Sequence, residues 1–153
     1  MLEITTPSDR EVRLTRVFKA PRELVFRAHT EPEVMKRWLG VFGEMTLHIC
    51  EVDLRVGGTM RYVWRRGNGQ LMGMTSTILE FKPPEKIVGS ERFDGSASTS
   101  ISTLIIKEEN GVTTLTNTIL YESQARRDEM LKTGMARGVE ASYDGLERIL
   151  DAL

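Results

Sequence analysis

Residues 123–153, SQARRDEMLKTGMARGVEASYDGLERILDAL, decide the fold of this chain. Apolar and small residues recur there at steps of three and four, as on a helix that buries one face: Leu131, Met135, Gly138, Val139, Ser142, Leu146, Ile149, Leu150 and Leu153. Ser123 can cap the first turn. The opposite face is charged and predicted to be solvated: Lys132, Arg137, Glu140, Asp144, Glu147 and Asp151. An unbroken helix would span about 45 Å, long enough to cross a sheet.

Three glycines, Gly134, Gly138 and Gly145, interrupt this helical pattern. Each costs about 1 kcal/mol relative to alanine inside a helix, so each indicates a need for space or close backbone approach. Two interpretations are open. The helix either packs tightly on a sheet or is held off the sheet above a cavity.

The composition excludes several classes of protein. Of 153 residues, 40% are hydrophobic and 28% charged, which is typical of a soluble globular protein. The 21 basic and 22 acidic residues are well mixed, so no nucleic-acid partner is expected. Cys50 is the single cysteine, which fits a reducing compartment. With no signal-peptide core and no apolar run near the roughly 18 residues of a membrane span, we predict a cytoplasmic protein.

The rest of the chain predicts strands separated by turns. After a loose lead-in over residues 1–9, a strand covers 11–19, in which Val12, Leu14 and Phe18 alternate and Arg16 stands out of pattern. Two short helices follow, one after Pro21 and one that begins near Pro32. Six further strands, joined by turns rich in Gly, Asn and Asp, cover residues 45–53, 59–66, 70–81, 86–93, 98–107 and 112–122.

This order of elements predicts an α+β fold in a single domain, residues 1–153. A seven-stranded antiparallel sheet has one face to cover, and one long amphipathic helix is available to cover it. A strongly curved sheet wrapped around the C-terminal helix satisfies both requirements. Because one helix fills the concave side only in part, a pocket is expected between them.

Short motifs in order along the chain resemble a known family: Trp38-Leu39-Gly40, Asp53-Leu54-Arg55-Val56-Gly57-Gly58, Pro83-Pro84-Glu85-Lys86-Ile87-Val88, residues 133–138 and residues 142–146. Together they resemble the heat-shock protein 90 ATPase activator-like family of the START/birch-pollen-allergen (SRPBCC, helix-grip) superfamily. The resemblance covers nearly the whole chain. It implies the helix-grip fold with a deep apolar pocket. It brings no catalytic residues, and fold alone does not establish function.

Residues with chemical potential give little sign of a metal or catalytic site. His48 and Cys50 are spaced to share a strand face, but a zinc site needs three or four ligands, so we predict no metal and no cofactor. Glu51 and Asp53 share a face as well, and we expect Asp53 to brace the following turn by pairing with Arg55.

The apolar and aromatic residues are more informative. Eight methionines suit an adaptable ligand surface. Ten residues are predicted to bind a ligand: Trp38, Phe42, Met60, Tyr62, Trp64, Met72, Met74, Tyr121, Met130 and Met135. Arg61 has the opposite strand parity and is expected to face solvent. The favoured function is non-enzymatic binding of a small hydrophobic or amphipathic molecule.

Two alternatives stay open. The first is a polyketide cyclase- or hydrolase-like enzyme that uses Glu51, His48 or Tyr121 in the same pocket. The second is a co-chaperone-like module that stimulates a chaperone ATPase through an exposed apolar patch. A homodimer is possible, and no sequence feature decides it.

Overall fold

A computed structural model describes residues 1–153 of the chain. Its eight strands are β1 (Glu3–Thr5), β2 (Glu11–Phe18), β3 (Thr46–Val52), β4 (Thr59–Arg65), β5 (Leu71–Lys82), β6 (Lys86–Phe93), β7 (Ser100–Glu109) and β8 (Val112–Leu120). Its helices are α1 (Arg22–Ala28), α2 (Pro32–Met35), α3 (Gln124–Leu131) and α4 (Met135–Leu150). None of these helices is both long and apolar enough to cross a membrane.

All eight strands form one antiparallel sheet in the order β1-β2-β8-β7-β6-β5-β4-β3. The α+β prediction is confirmed, but the sheet has eight strands rather than seven. The extra strand lies in the segment that we predicted as a loose lead-in, where Ile4 pairs with Leu14 of β2. The sequence pattern misses β1 because three residues are too few to show alternation, while the outer edge of β2 still offers free backbone donors and acceptors.

The C-terminal segment is two helices and not the single unbroken helix that its stripe allows. Ser123 caps α3 as predicted, since its Oγ accepts a hydrogen bond from the backbone N–H of Arg126 at 3.1 Å. The break falls between Leu131 and Met135, where Gly134 has a φ of +79°. Glycine adopts this left-handed conformation without a steric penalty, so the first of the three glycines separates the helices.

The second half of α4 packs tightly against the sheet and α1. Tyr143, Leu146 and Leu150 join a core cluster that includes Phe18 and Trp38. A second cluster lies under β3, β4 and β5 around Met35, Tyr62 and Trp64.

The charged face of α4 is exposed to solvent as predicted, and two of its residues, Asp144 and Glu147, also face a buried cation. Arg16 lies on the inner face of β2 and is buried. Its Nη2 lies 2.8 Å from Asp144 Oδ1 and 3.5 Å from Glu147 Oε2. The two carboxylates, each about half exposed, therefore partner a buried guanidinium.

Candidate functional site: an apolar cavity beneath the C-terminal helix

A cavity of about 430 Å³ lies between the sheet and the first half of α4. Of its 29 lining residues, 18 are hydrophobic. The last α4 residue in the lining is Tyr143, after which the helix packs closely against the core. Both interpretations of the sequence therefore apply, each to one half of the helix.

Strand parity places most of the predicted residues on the cavity wall. Met60, Tyr62 and Trp64 alternate on β4, and Met72 and Met74 alternate on β5. Eight of the ten predicted residues line the cavity: Trp38, Phe42, Met60, Tyr62, Trp64, Met72, Met74 and Met135. As ligand contacts they stay predictions.

Tyr121 and Met130 do not line the cavity. They pack in a third cluster with Val12 and Leu14 at the α3 end of the sheet. Tyr121 is buried, and its hydroxyl lies 3.8 Å from Met135 Sδ. Tyr121 therefore contacts Met135, a residue of the cavity wall, without lining the cavity itself.

The segment 38–40 ties three elements together at one wall. Trp38 Nε1 donates to the carbonyl of Ala28 in α1 at 2.9 Å. The carbonyl of Leu39 accepts from Trp64 Nε1 of β4 at 3.0 Å, and Gly40 N donates to Ser142 Oγ of α4 at 3.0 Å. These bonds fix the wall because each uses a polar group that would otherwise be unpaired.

Phe42 lies at the rim of the cavity against α4. Its side chain lines the cavity and is 43% exposed. A Cβ on Gly138 would lie 3.2 Å from Phe42 Cε1, tighter than ordinary contact. The absence of a side chain at Gly138 thus leaves room for the Phe42 ring.

Glu91 is a cavity residue that the sequence analysis missed. It lies on β6 with Ile87, Gly89 and Phe93, all on the cavity face. No side chain or backbone group of the protein hydrogen-bonds to its carboxyl. Burial away from water raises its pKa from 4.5 to about 7. Glu91 alternates with Ile87 and Phe93 on β6, and this alternation in the sequence could have placed it on the cavity face.

Other polar groups cross the same sheet floor. Ser76 on β5 pairs in register with Glu91. Ser102 on β7 and Asn117 on β8 also line the cavity, and Ser102 Oγ donates to Asn117 Oδ1 at 2.8 Å. A polar stripe of Ser76, Glu91, Ser102 and Asn117 therefore runs across an otherwise apolar floor.

His29 borders the cavity at the end of α1. Its Nδ1 lies 2.7 Å from the Val25 carbonyl oxygen, so it carries the proton and leaves Nε2 as an acceptor. The ring packs edge-on against Trp38 at 4.8 Å between centroids. Burial lowers the pKa of His29 from 6.5 to about 4, so the ring is neutral near pH 7.

Comparison with known proteins fits this architecture. A family model described as Activator of Hsp90 ATPase homolog 1-like protein matches residues 19–151. The chain belongs to this family. A solved structure from Rhodobacter sphaeroides is 27% identical over 99% of both chains, with a TM-score of 0.94. No curated protein matches.

More distant solved structures share the fold. A protein from Nitrosomonas europaea is 22% identical, covers 96% of this chain and 97% of its own, and has a TM-score of 0.84. CalU16 from Micromonospora echinospora is 23% identical, covers 98% of this chain and 83% of its own, and has a TM-score of 0.68. The helix-grip fold is confirmed.

The other residues singled out from the sequence lie outside the cavity of this family member. A β-bulge between Leu47 and Ile49 breaks the strand alternation, so His48 is exposed while Cys50 is buried, and the two do not share a face as predicted. Glu51 is exposed. Asp53 Oδ2 accepts from Arg55 Nε at 2.9 Å, which confirms the turn-bracing pair. No group of three or more His, Cys, Asp or Glu side chains could hold a metal ion.

Arg61 is not free in solvent. It is about one-third exposed, and its guanidinium forms a bidentate pair with Asp94 at 2.6 and 2.7 Å. The pair lies away from the cavity, as the strand parity of Arg61 predicts.

The opposed pKa shifts of His29 and Glu91 predict opposed pH profiles of stability. The lowered pKa of His29 means that its contribution is lost as pH falls from 6.5 through about 4. The raised pKa of Glu91 means that its contribution, complete below 4.5, is lost as pH rises through about 7. The two slopes oppose each other in the wild type across the overlapping range.

Each single variant should therefore expose the slope of the other group. In Glu91→Gln, the free energy of unfolding should rise with pH from about 4 to 6.5 more steeply than in the wild type. In His29→Asn, which keeps an N–H toward Val25, it should fall between about 4.5 and 7. Urea unfolding at a series of pH values measures both, and three parallel profiles would contradict the assignment.

Proposed function

We propose that this chain binds a small hydrophobic or amphipathic molecule in the cavity beneath α4, without chemical conversion. The observation that carries the proposal is the cavity itself, which is lined mainly by hydrophobic residues. A volume of about 430 Å³ lies within the range of roughly 300–1,000 Å³ that is usual for small-molecule sites.

The methionines support this proposal. Six of the eight line the cavity: Met35, Met45, Met60, Met72, Met74 and Met135. Methionine is unbranched and polarisable, so it adapts to ligands of varied shape. A core built only for stability gains little from this choice, because flexible side chains specify packing poorly. Hydrophobic-ligand binding is also typical of the family.

Filling the cavity should abolish binding. In Val139→Trp, an indole replaces a small wall residue of α4, and we expect affinity for Nile red, an uncharged solvatochromic dye, to fall by about tenfold or more. Fluorescence titration measures the affinity.

Arg137→Trp is the matched control, because it adds the same side chain to the exposed face of the same helix. It should bind the dye as the wild type does. Far-UV circular dichroism and thermal melting check that both variants are folded. Equal dye affinity in folded Val139→Trp and in the wild type would contradict binding in this cavity.

An enzymatic role in the same cavity is the second candidate, and Glu91 is the observation that favours it. A carboxyl whose pKa is about 7 can act as a general acid or base near neutral pH. However, the acid–base residues suggested from the sequence, His48, Glu51 and Tyr121, all lie outside the cavity lining. A chaperone partner and a homodimer stay predictions.

A further inference from the structure

We propose that the cavity selects an amphipathic amine, with its apolar body against the methionine walls and its ammonium group bound by the Glu91 carboxylate. This inference rests on the proposed function and adds the class of ligand. The lining holds one acidic residue, Glu91, no lysine or arginine, and polar side chains on the same floor as Glu91.

Glu91 has oxygens that face the cavity and no partner within the protein. Its neighbours on the two adjacent strands are Ser76 on β5 and Ser100 on β7. Neither serine hydroxyl donates to the Glu91 carboxyl. Glu91 is partly exposed on the wall of an apolar cavity, where a charged contact is stronger than in bulk water, so a ligand that supplies a positive donor gains binding energy at this point.

The cavity has no positively charged group that would pair with an anion. Neither lysine nor arginine occurs in its lining. His29 is neutral near pH 7, because its pKa is lowered to about 4, and its Nδ1–H is already bonded to Val25. A fatty-acid carboxylate would therefore lose its hydration, find no cation and face the charge of Glu91.

The polar stripe offers acceptors beside Glu91. An ammonium group carries three donors. Ser76 and the bonded pair Ser102–Asn117 place further oxygens on the same floor of the cavity. An amine therefore finds Glu91 and Ser76 as neighbouring polar groups, the Ser102–Asn117 pair farther along the floor, and apolar walls elsewhere.

Displacement of Nile red by three matched twelve-carbon probes tests this inference at pH 8. The probes are dodecylamine, dodecanol and dodecanoate, which share one alkyl chain and differ in head group. We expect dodecylamine to bind about tenfold or more tightly than dodecanoate. In Glu91→Gln, dodecylamine should lose about tenfold or more in affinity, whereas dodecanol should be unchanged.

Glu51→Gln is the matched control, because it removes an exposed glutamate of β3 that lies outside the cavity. It should leave the affinities of all three probes unchanged. An equal loss of dodecylamine affinity in the Glu51 and Glu91 variants would show general attraction to the protein's charge and would overturn the inference.

The affinity for the amine should also depend on pH. Because the pKa of Glu91 is about 7, its ionised fraction rises from about 0.1 at pH 6 to about 0.9 at pH 8, which predicts a roughly ninefold gain for dodecylamine and none for dodecanol. The other titratable side chains of the cavity lining, and Tyr121 near Glu91, do not titrate in this range. The pKa of His29 is about 4, that of Tyr121 is about 12, and burial raises the pKa of both Tyr62 and Tyr143.

The outcomes separate this inference from the proposed function. One outcome is that Nile red and dodecanol bind while dodecylamine binds no more tightly than dodecanoate. That result would overturn the selection of an amine and would leave the proposed binding of hydrophobic molecules intact. If none of the probes and no dye enters the folded protein, the proposed function fails and the inference fails with it.

Discussion

Replacement of Trp38 by alanine should lower the free energy of unfolding by about 3–5 kcal/mol, the usual cost of deleting a fully buried aromatic side chain. Trp38 is only 1% exposed. Its indole stacks on Tyr143 with 5.9 Å between ring centroids, meets His29 edge-on, and donates to Ala28. The alanine variant therefore loses contacts to α1 and α4 at once and leaves a void beside the existing cavity.

Trp38→Phe is the matched control, since it keeps an aromatic ring and removes the Nε1 donor. It should cost less, about 1–3 kcal/mol, because the Ala28 carbonyl loses its buried partner. Urea denaturation followed by far-UV circular dichroism compares both variants with the wild type. If Trp38→Ala lowers the free energy of unfolding by less than about 1 kcal/mol, Trp38 does not stabilise the packing of α1 and α4.

The order of elements was predictable because its signals are local. Alternation of apolar residues and turn chemistry place seven of the eight strands, and the period of the last stretch places its helices. Two features were missed, one because it depends on a tertiary contact and one because the sequence does not fix the φ of a glycine. β1 forms only because β2 offers an open edge, and the break before Met135 depends on the conformation of Gly134.

The cavity walls were predictable by the same parity. Alternation on β4 and β5 is enough to place Met60, Tyr62, Trp64, Met72 and Met74 on the inner face. Tyr121 and Met130 lie outside the lining. Tyr121 follows the last residue of β8 and Met130 is on α3, so strand parity does not place either of them. Their role as ligand contacts is untested.

The polar groups of the cavity were harder to find. Glu91 follows the parity of Ile87 and Phe93, but a glutamate on a strand is usually solvated, so residue type outweighed position. His48 shows the opposite error. The β-bulge between Leu47 and Ile49 changes the side of the sheet on which the His48 side chain lies, and no feature of the sequence marks this bulge.

The structure explains why α4 carries Gly138 in its first half and a dense apolar end. Gly138 lies over the cavity against the Phe42 ring, while Leu146 and Leu150 bury themselves in the core cluster. One half of the helix therefore anchors the other half above an apolar space. Substitutions in the anchoring half should change stability, and those over the cavity should change binding.

The second large effect on stability is expected at Arg16. Its buried positive charge pairs with two carboxylates, Asp144 and Glu147, in the second half of α4. Its side chain is 2% exposed, and its Nε and Nη1 have no hydrogen-bond partner. The guanidinium lies over the Phe18 ring, 5.6 Å from the centroid. Removing both carboxylates in Asp144→Ala/Glu147→Ala should lower the free energy of unfolding by about 3–5 kcal/mol, because a buried cation is then uncompensated.

Removing the cation should leave the free energy of unfolding unchanged or raise it. Arg16→Met fills a similar length with an apolar side chain, so we expect it to be neutral or to stabilise, by as much as about 1–4 kcal/mol. Added to the Asp144→Ala/Glu147→Ala background, it should recover most of the lost stability. Urea denaturation of these variants closes a mutant cycle. If Arg16→Met destabilises the wild type as strongly as loss of both carboxylates does, the ion pairs themselves stabilise the fold, and the account of Arg16 as a costly buried charge is wrong.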